Sequence, residues 1–181
     1  MTFKTIQSNL IYQGKVFSIR QDQVELPNGK TMKVDIVQHH GAVVILPIDE
    51  DKNIWFVRQY RHPVGEHLLE LPAGTLDPGE APLDCAHREI REEIGMTAEH
   101  IIPIGEFYDA PGYSTEYLYI YLATNLTTAP LPPDEDEIID VVKIPVKQVY
   151  ELALQGQLRD AKTLATLLLA QPYLVEQKQG I

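Results

Sequence analysis

Residues 71–96 read LPAGTLDPGEAPLDCAHREIREEIGM, with three carboxylates, Glu89, Glu92 and Glu93, inside five consecutive positions. Between Pro82 and Ile94 the apolar residues Leu83, Ala86, Ile90 and Ile94 recur on one stripe. Pro82 suits a first helical turn and Gly95 the position after the last, so the spacing predicts a helix. At about 100° per residue the three glutamates cover an arc of about 100° beside that stripe, at the edge of the core. Turned into a cleft some 6 Å apart, each pair would repel by roughly 3 kcal/mol at an effective dielectric near 20, and a cation would reverse that sign. Oxygen-only donors suit a hard ion, Mg²⁺ or Mn²⁺, and no His/Cys grouping suits zinc. The plain alternative is a solvated helix face that costs only tenths of a kcal/mol.

The flanks decide between the two. From Gly74 the chain reads Gly, five residues, Glu80, seven residues, then Arg88-Glu89-Ile90-Arg91-Glu92-Glu93-Ile94-Gly95-Met96. This matches the Nudix box, G-x5-E-x7-R-E-U-x-E-E-x-G-U with U aliphatic, at every defined position. Seven identities at fixed spacing arise by chance with a probability on the order of 10⁻⁷ per chain. The chain therefore resembles the Nudix hydrolases, which cleave nucleoside diphosphates linked to another moiety using Mg²⁺ or Mn²⁺. The resemblance implies Glu89 and Glu93 as principal metal ligands, Glu92 as a further ligand with a catalytic role, and the Ala73 carbonyl beside them. Glu80 and Arg88 are expected to form a structural ion pair clamping loop to helix, and Gly74 and Gly95 to let the backbone turn tightly at either end.

Outward from the box, residues 9–47 read as strands broken by turns, with Asn28-Gly29 a hairpin signal. The run 31–48 reads as continuous strand, NIWFVRQYR (53–61) as another, and EYLYIYLA (116–123) alternates as a strand does. Helical periodicity returns in VKQVYELALQG and RDAKTLATLLLAQ near the C-terminus. Residues 124–137, TNLTTAPLPPDEDE, are expected to form a mobile loop. These elements predict an α/β chain with a mixed sheet.

With 181 residues and 44% hydrophobic content, one substantial core is expected. A net charge of −11 with no basic cluster argues against nucleic acid or an anionic membrane as partner. The absence of a long apolar run or signal-like N-terminus points to a cytoplasmic protein. The single cysteine, Cys85, excludes an intrachain disulfide.

Beyond the box, GKVFSIRQDQVELPNGK, HHGAVVILPID, VRQYRHP, LLELPAG and DAKTLA are similar to the ADP-ribose pyrophosphatase branch. That resemblance implies a Nudix fold, an α/β/α sandwich over residues 41–181, preceded by an antiparallel β extension over residues 1–40 that is exchanged between the subunits of a homodimer. Pro111, 16 residues past Gly95, and Glu116 match the branch's substrate loop, with Glu116 expected in the neighbouring subunit's site. Arg61 matches an arginine that pairs with substrate phosphate. In PPDEDEIID, Glu135 is expected to handle the attacking water and Glu137 to lie nearer the metals. Where relatives carry an arginine before the Gly-Ala strand, this chain has Val34, next to Lys33. His39, His40, His62, His67, His87 and His100 show no ligand spacing and read as structural or surface residues. The implied reaction is hydrolysis of ADP-ribose or a related nucleoside diphosphate sugar to a nucleoside monophosphate and a sugar phosphate. The rivals are a GDP-mannose-type hydrolase and a catalytically silent nucleotide-sugar sensor. A sensor has little reason to keep all three box glutamates.

Overall fold

The structure, a computed structural model, describes residues 2–133 and 138–174. Its strands are β1 (Lys4–Gln13), β2 (Phe17–Glu25), β3 (Thr31–His39), β4 (Ala42–Pro47), β5 (Asn53–Arg61), β6 (Glu66–Glu70), β7 (Ala73–Thr75), β8 (Met96–Tyr108), β9 (Tyr117–Thr128) and β10 (Ile139–Pro145). Its helices are α1 (Pro82–Glu93), α2 (Val146–Leu154) and α3 (Ala161–Leu174).

The short strand β4 organises the core. All six of its residues are buried, as expected of a strand covered on both faces. Val44 and Leu46 pack with Phe56 of β5, Val149 of α2, and Leu167 and Ala170 of α3. Val43 and Ile45 point the other way, to Cys85, Ala86 and Ile90 of α1. Period-two alternation in one strand thus separates two helical layers, which makes the α/β/α sandwich. The sheet around β4 is ordered β7-β4-β9-β8, with β4 and β9 parallel and the other pairs antiparallel. A second sheet, β10-β5-β6, is antiparallel.

The N-terminal strands form their own antiparallel sheet, β1-β2-β3. The Asn28-Gly29 turn joins β2 to β3, with Gly29 at φ 78°, a conformation that favours glycine. Every residue of β1 is exposed, Leu10 and Ile11 by 62% and 61%. This sheet meets the rest of the chain at Val37, whose N–H donates to the Tyr113 carbonyl at 2.8 Å and whose carbonyl accepts from Thr115 N–H at 2.9 Å.

Three expectations need correction. The run 31–48 is two strands, broken at His40-Gly41, where Gly41 has φ 92°. The segment 124–137 is not all loop: β9 continues through Thr128. The described residues after it are pinned, with Ala129 N–H on the Gly95 carbonyl and Leu131 N–H on the Arg91 carbonyl. Leu83 is 43% exposed, while Cys85 takes an inward position on α1. β8 spans a stretch for which the sequence reading names no element; Pro103 and Gly105, both poor strand formers, stand at its register shift.

Candidate active site

The box folds as a strand, a turn and a helix. β7 carries Ala73 and Gly74, and α1 carries the glutamates. Arg88, on the first half of the motif's charged run, joins them. Its Nε and Nη2 each donate to one oxygen of Glu80 at 2.9 Å, and its Nη1 donates to Glu89 at 2.5 Å and Glu92 at 2.9 Å. These charge-assisted bonds outweigh burial and hold the Glu80 carboxyl down to about 2. The Arg88 guanidinium is correspondingly raised, with the Glu80 bonds the largest cause.

Glu89 and Glu93 are buried, at 7% and 6% exposure. Glu93 accepts from the Ala73 N–H at 2.9 Å, so helix and strand are joined through this carboxylate. Glu89 lies against Gly74 so closely that a Cβ there would stand 1.8 Å from its Oε1. The expectation that Gly74 serves a tight turn is therefore corrected: it lies in β7, and what it provides is room for Glu89. Gly95, at φ 68°, does occupy the left-handed position after α1.

An open cleft of about 840 Å³ lies beside this arrangement. Glu89, Glu92, Arg88, Ala73, Gly74 and Asp77 line one side, and Glu116, Asp109, Arg61, Gln59, Asp160 and Lys162 line others. Glu93 is not on the wall; it sits behind, on the Ala73 amide. Arg61 comes from β5 and is gripped by Glu70, through Nε at 2.7 Å and Nη2 at 2.9 Å. Glu70, 1% exposed, also accepts from Lys162 Nζ at 3.2 Å, and Lys162 donates to Asp160 at 2.6 Å. Burial pulls the Lys162 ammonium down, but Asp160 and Glu70 outweigh it and leave its pKa raised. Asp160 caps α3 by accepting from Thr163 N–H at 2.9 Å and its hydroxyl at 2.7 Å. The Thr163 hydroxyl in turn accepts from Leu71 N–H at 2.9 Å, tying α3 to the segment that enters the box.

Of the other expected residues, Glu116 lines the cleft of its own chain, and its loop is fixed by the Val37 bonds to Tyr113 and Thr115. Pro111 is exposed in the turn that precedes Glu116, off the cleft wall. Glu135 and Glu137 lie outside the described residues. Val34 is on β3, opposite Asp22. Among the histidines, His40 lines the cleft, and His39 Nδ1 accepts from Gly41 N–H at 3.1 Å. Sequence reasoning missed His40, Asp77, Asp109, Asp160 and Lys162 as cleft residues. DAKTLA held a signal for the last two, a charged pair at the start of a predicted helix.

The chemistry of the donor set fits a divalent cation. Glu80, Glu89 and Glu92 share the Arg88 guanidinium, Glu93 accepts from the Ala73 amide and acts through space on Arg61, and Glu89 and Glu93 are buried. Buried carboxylates in such excess call for more positive charge. Among the described residues no three carboxylate, imidazole or thiol groups are already gathered as a metal site. Arg88 supplies the charge that Glu89 and Glu92 share.

The fold and this carboxylate-bearing helix have known counterparts. The description of the NUDIX domain matches residues 38–167, and that of a nucleoside diphosphate sugar hydrolase N-terminal domain matches residues 3–32. The chain belongs to the Nudix family and is a hydrolase. It is 38% identical over 162 residues to the ADP-ribose pyrophosphatase of Bacillus subtilis (strain 168), covering 88% of each chain. It is also 38% identical over 169 residues to the ADP-ribose pyrophosphatase of Mycobacterium tuberculosis (strain ATCC 25618 / H37Rv), covering 92% of this chain and 82% of that one. A crystal structure of an ADP compounds hydrolase shares the fold, with a TM-score of 0.85 at 23% identity over 96% of this chain and 95% of that one.

Proposed function

We propose that this hydrolase cleaves the pyrophosphate bond of ADP-ribose or a closely related nucleoside diphosphate sugar, giving a nucleoside monophosphate and a sugar phosphate. The observation that carries this reading is one open cleft that has the box carboxylates Glu89 and Glu92 on one wall and Arg61 and Glu116 on others. A diphosphate can lie between carboxylates that hold cations and a guanidinium that binds phosphate oxygens in a fork.

Glu89, Glu92 and Glu93, the Ala73 carbonyl and Glu137 would hold Mg²⁺ or Mn²⁺. Such ions neutralise phosphate oxygens and lower the pKa of an attacking water. Arg61 orients the diphosphate. Glu135 accepts the proton of the attacking water, Glu92 supports that step, and Pro111 shapes the turn that presents Glu116 to the sugar or base. Glu80 and Arg88 keep loop and helix in register.

The same reading takes residues 1–40 as a β segment exchanged in a homodimer and residues 41–181 as the hydrolase domain. The exposed apolar residues of β1 support it, because a three-stranded sheet with so much apolar surface needs a partner face. It also takes the cytoplasm as the place of action, without nucleic acid or membrane as partner. No helix among the described residues is long and apolar enough to cross a membrane.

The test is a panel of nucleotide sugars, including ADP-ribose and GDP-mannose, assayed with Mg²⁺ and with Mn²⁺, with products identified by chromatography. ADP-ribose should give AMP and ribose 5-phosphate at the highest kcat/KM. Preferred turnover of GDP-mannose would move the assignment to the other branch, and no turnover of any of them would overturn it.

A further inference from the structure

Six carboxylates line the cleft against four cations, Lys15, Arg61, Arg88 and Lys162, so a diphosphate depends on how those cations are held. Lys15 comes from the N-terminal sheet. Arg88 is engaged by Glu80, Glu89 and Glu92. Arg61 and Lys162 are different. They come from β5 and α3, they both line the cleft, and a single buried carboxylate, Glu70, holds them side by side.

A count of donors shows what the pair has to spare. A guanidinium carries five N–H groups and an ammonium three. Glu70 takes two from Arg61, one on Nε and one on Nη2, while Glu70 and Asp160 take one each from Lys162. Glu93 and Asp160 act on Arg61 through space, but no further side-chain hydrogen bond joins Arg61 or Lys162 to a described residue, which leaves three guanidinium N–H groups and one ammonium N–H on residues that wall the cleft. Glu70, at 1% exposure, is out of a ligand's reach. Its effect is to hold two cations together without using up their donors.

We infer that Lys162 is a second phosphate-binding residue beside Arg61, and that buried Glu70 is the positioning residue that presents both cations to one phosphate group. The inference rests on the proposed substrate class and deepens it. A planar fork and a point charge on one anchor suit a tetrahedral anion that offers several oxygens at once.

The experiment compares wild type, Lys162→Gln, Lys162→Arg and Glu70→Gln, with Arg159→Ala as a nearby control whose partner is the exposed Glu66. kcat and KM for ADP-ribose are measured at saturating Mg²⁺, and binding of inorganic pyrophosphate is measured by titration calorimetry. Losing one hydrogen bond to a charged group should raise KM about tenfold or more in Lys162→Gln, with kcat changed far less. Lys162→Arg should recover most of that loss, Arg159→Ala should match wild type, and Glu70→Gln should raise KM at least as far as Lys162→Gln. If Glu70→Gln does not fold, the two Lys162 variants decide. An unchanged KM and unchanged pyrophosphate affinity in Lys162→Gln, with only a lower melting temperature, would make Lys162 a structural ion-pair partner and overturn the inference. If wild type turns over no nucleotide sugar, the substrate reading fails separately, and the pyrophosphate titration alone decides on Lys162.

Discussion

Arg88 and Glu80 meet edge to edge, with two parallel N–H···O bonds of 2.9 Å linking the middle of α1 to the loop that precedes it. Because the Glu80 carboxyl is held down to about 2 from an ordinary 4.5, folding favours its charged form. That stability is fully present above the ordinary value and is lost as pH falls through the folded one. Urea midpoints measured from pH 5 to pH 2.5 should therefore drop more steeply for wild type than for Glu80→Gln. Parallel curves for the two proteins would show that the pair contributes nothing in this window.

Glu93→Gln separates metal chemistry from packing. Glutamine can still accept the Ala73 N–H, so the fold should persist, with an unchanged circular dichroism spectrum. The lost charge should cut turnover by several orders of magnitude. EDTA should abolish wild-type activity, and Mg²⁺ or Mn²⁺ should restore it. Near-normal turnover of Glu93→Gln at saturating Mg²⁺ would remove Glu93 from the ligand set.

Glu135→Gln should lower kcat by roughly 10² to 10⁴ with little change in KM, as expected when a general base is lost. Glu137→Gln should instead shift the metal concentration needed for half-maximal rate. Exchange of these two patterns in a metal titration would exchange the two roles.

Gly74→Ala tests the close approach of β7 to Glu89. A Cβ 1.8 Å from the carboxylate forces either the strand or Glu89 to move, at a cost of about 1–3 kcal/mol. Equilibrium urea unfolding should show the loss, and activity should fall because Glu89 is displaced. Wild-type values for both would mean that α1 can shift freely.

Deletion of residues 1–38 should yield aggregated or inactive protein, and the intact chain should be a dimer burying more than the standard ~1,600 Å². Glu116 lines its own chain's cleft, so the expectation that it enters the neighbouring site is tested by mixing. Glu116→Ala chains co-refolded with Glu93→Gln chains should recover no activity if each site is built from one chain. Partial recovery would mean that the two chains share a site. Light scattering that shows a soluble, active monomer from the truncation would end the exchange model.

The box was legible because it is local: identities at fixed spacing lie on one turn and one helix, where the 3.6-residue period links sequence to space. The Asn28-Gly29 hairpin was legible for the same reason. β8 was obscured by Pro103 and Gly105, which read as breakers unless the partner strand is known. The Arg61–Glu70–Lys162 arrangement could not be read at all, because Lys162 and Glu70 are 92 positions apart and nothing in either local pattern names the other. Gly74 was read for the wrong reason: a glycine required by a neighbour's side chain looks in sequence like one required by a turn.

The Thr163 hydroxyl joins the first turn of α3 to the Leu71 amide. That amide can exchange its proton with solvent only when α3 lifts, or when the segment between β6 and β7 pulls away. Opening of the C-terminal helix and loosening of the entry to the box both have to break this bond. A perturbation that frees the start of α3 would thus take away one of the bonds that hold the segment leading into the box.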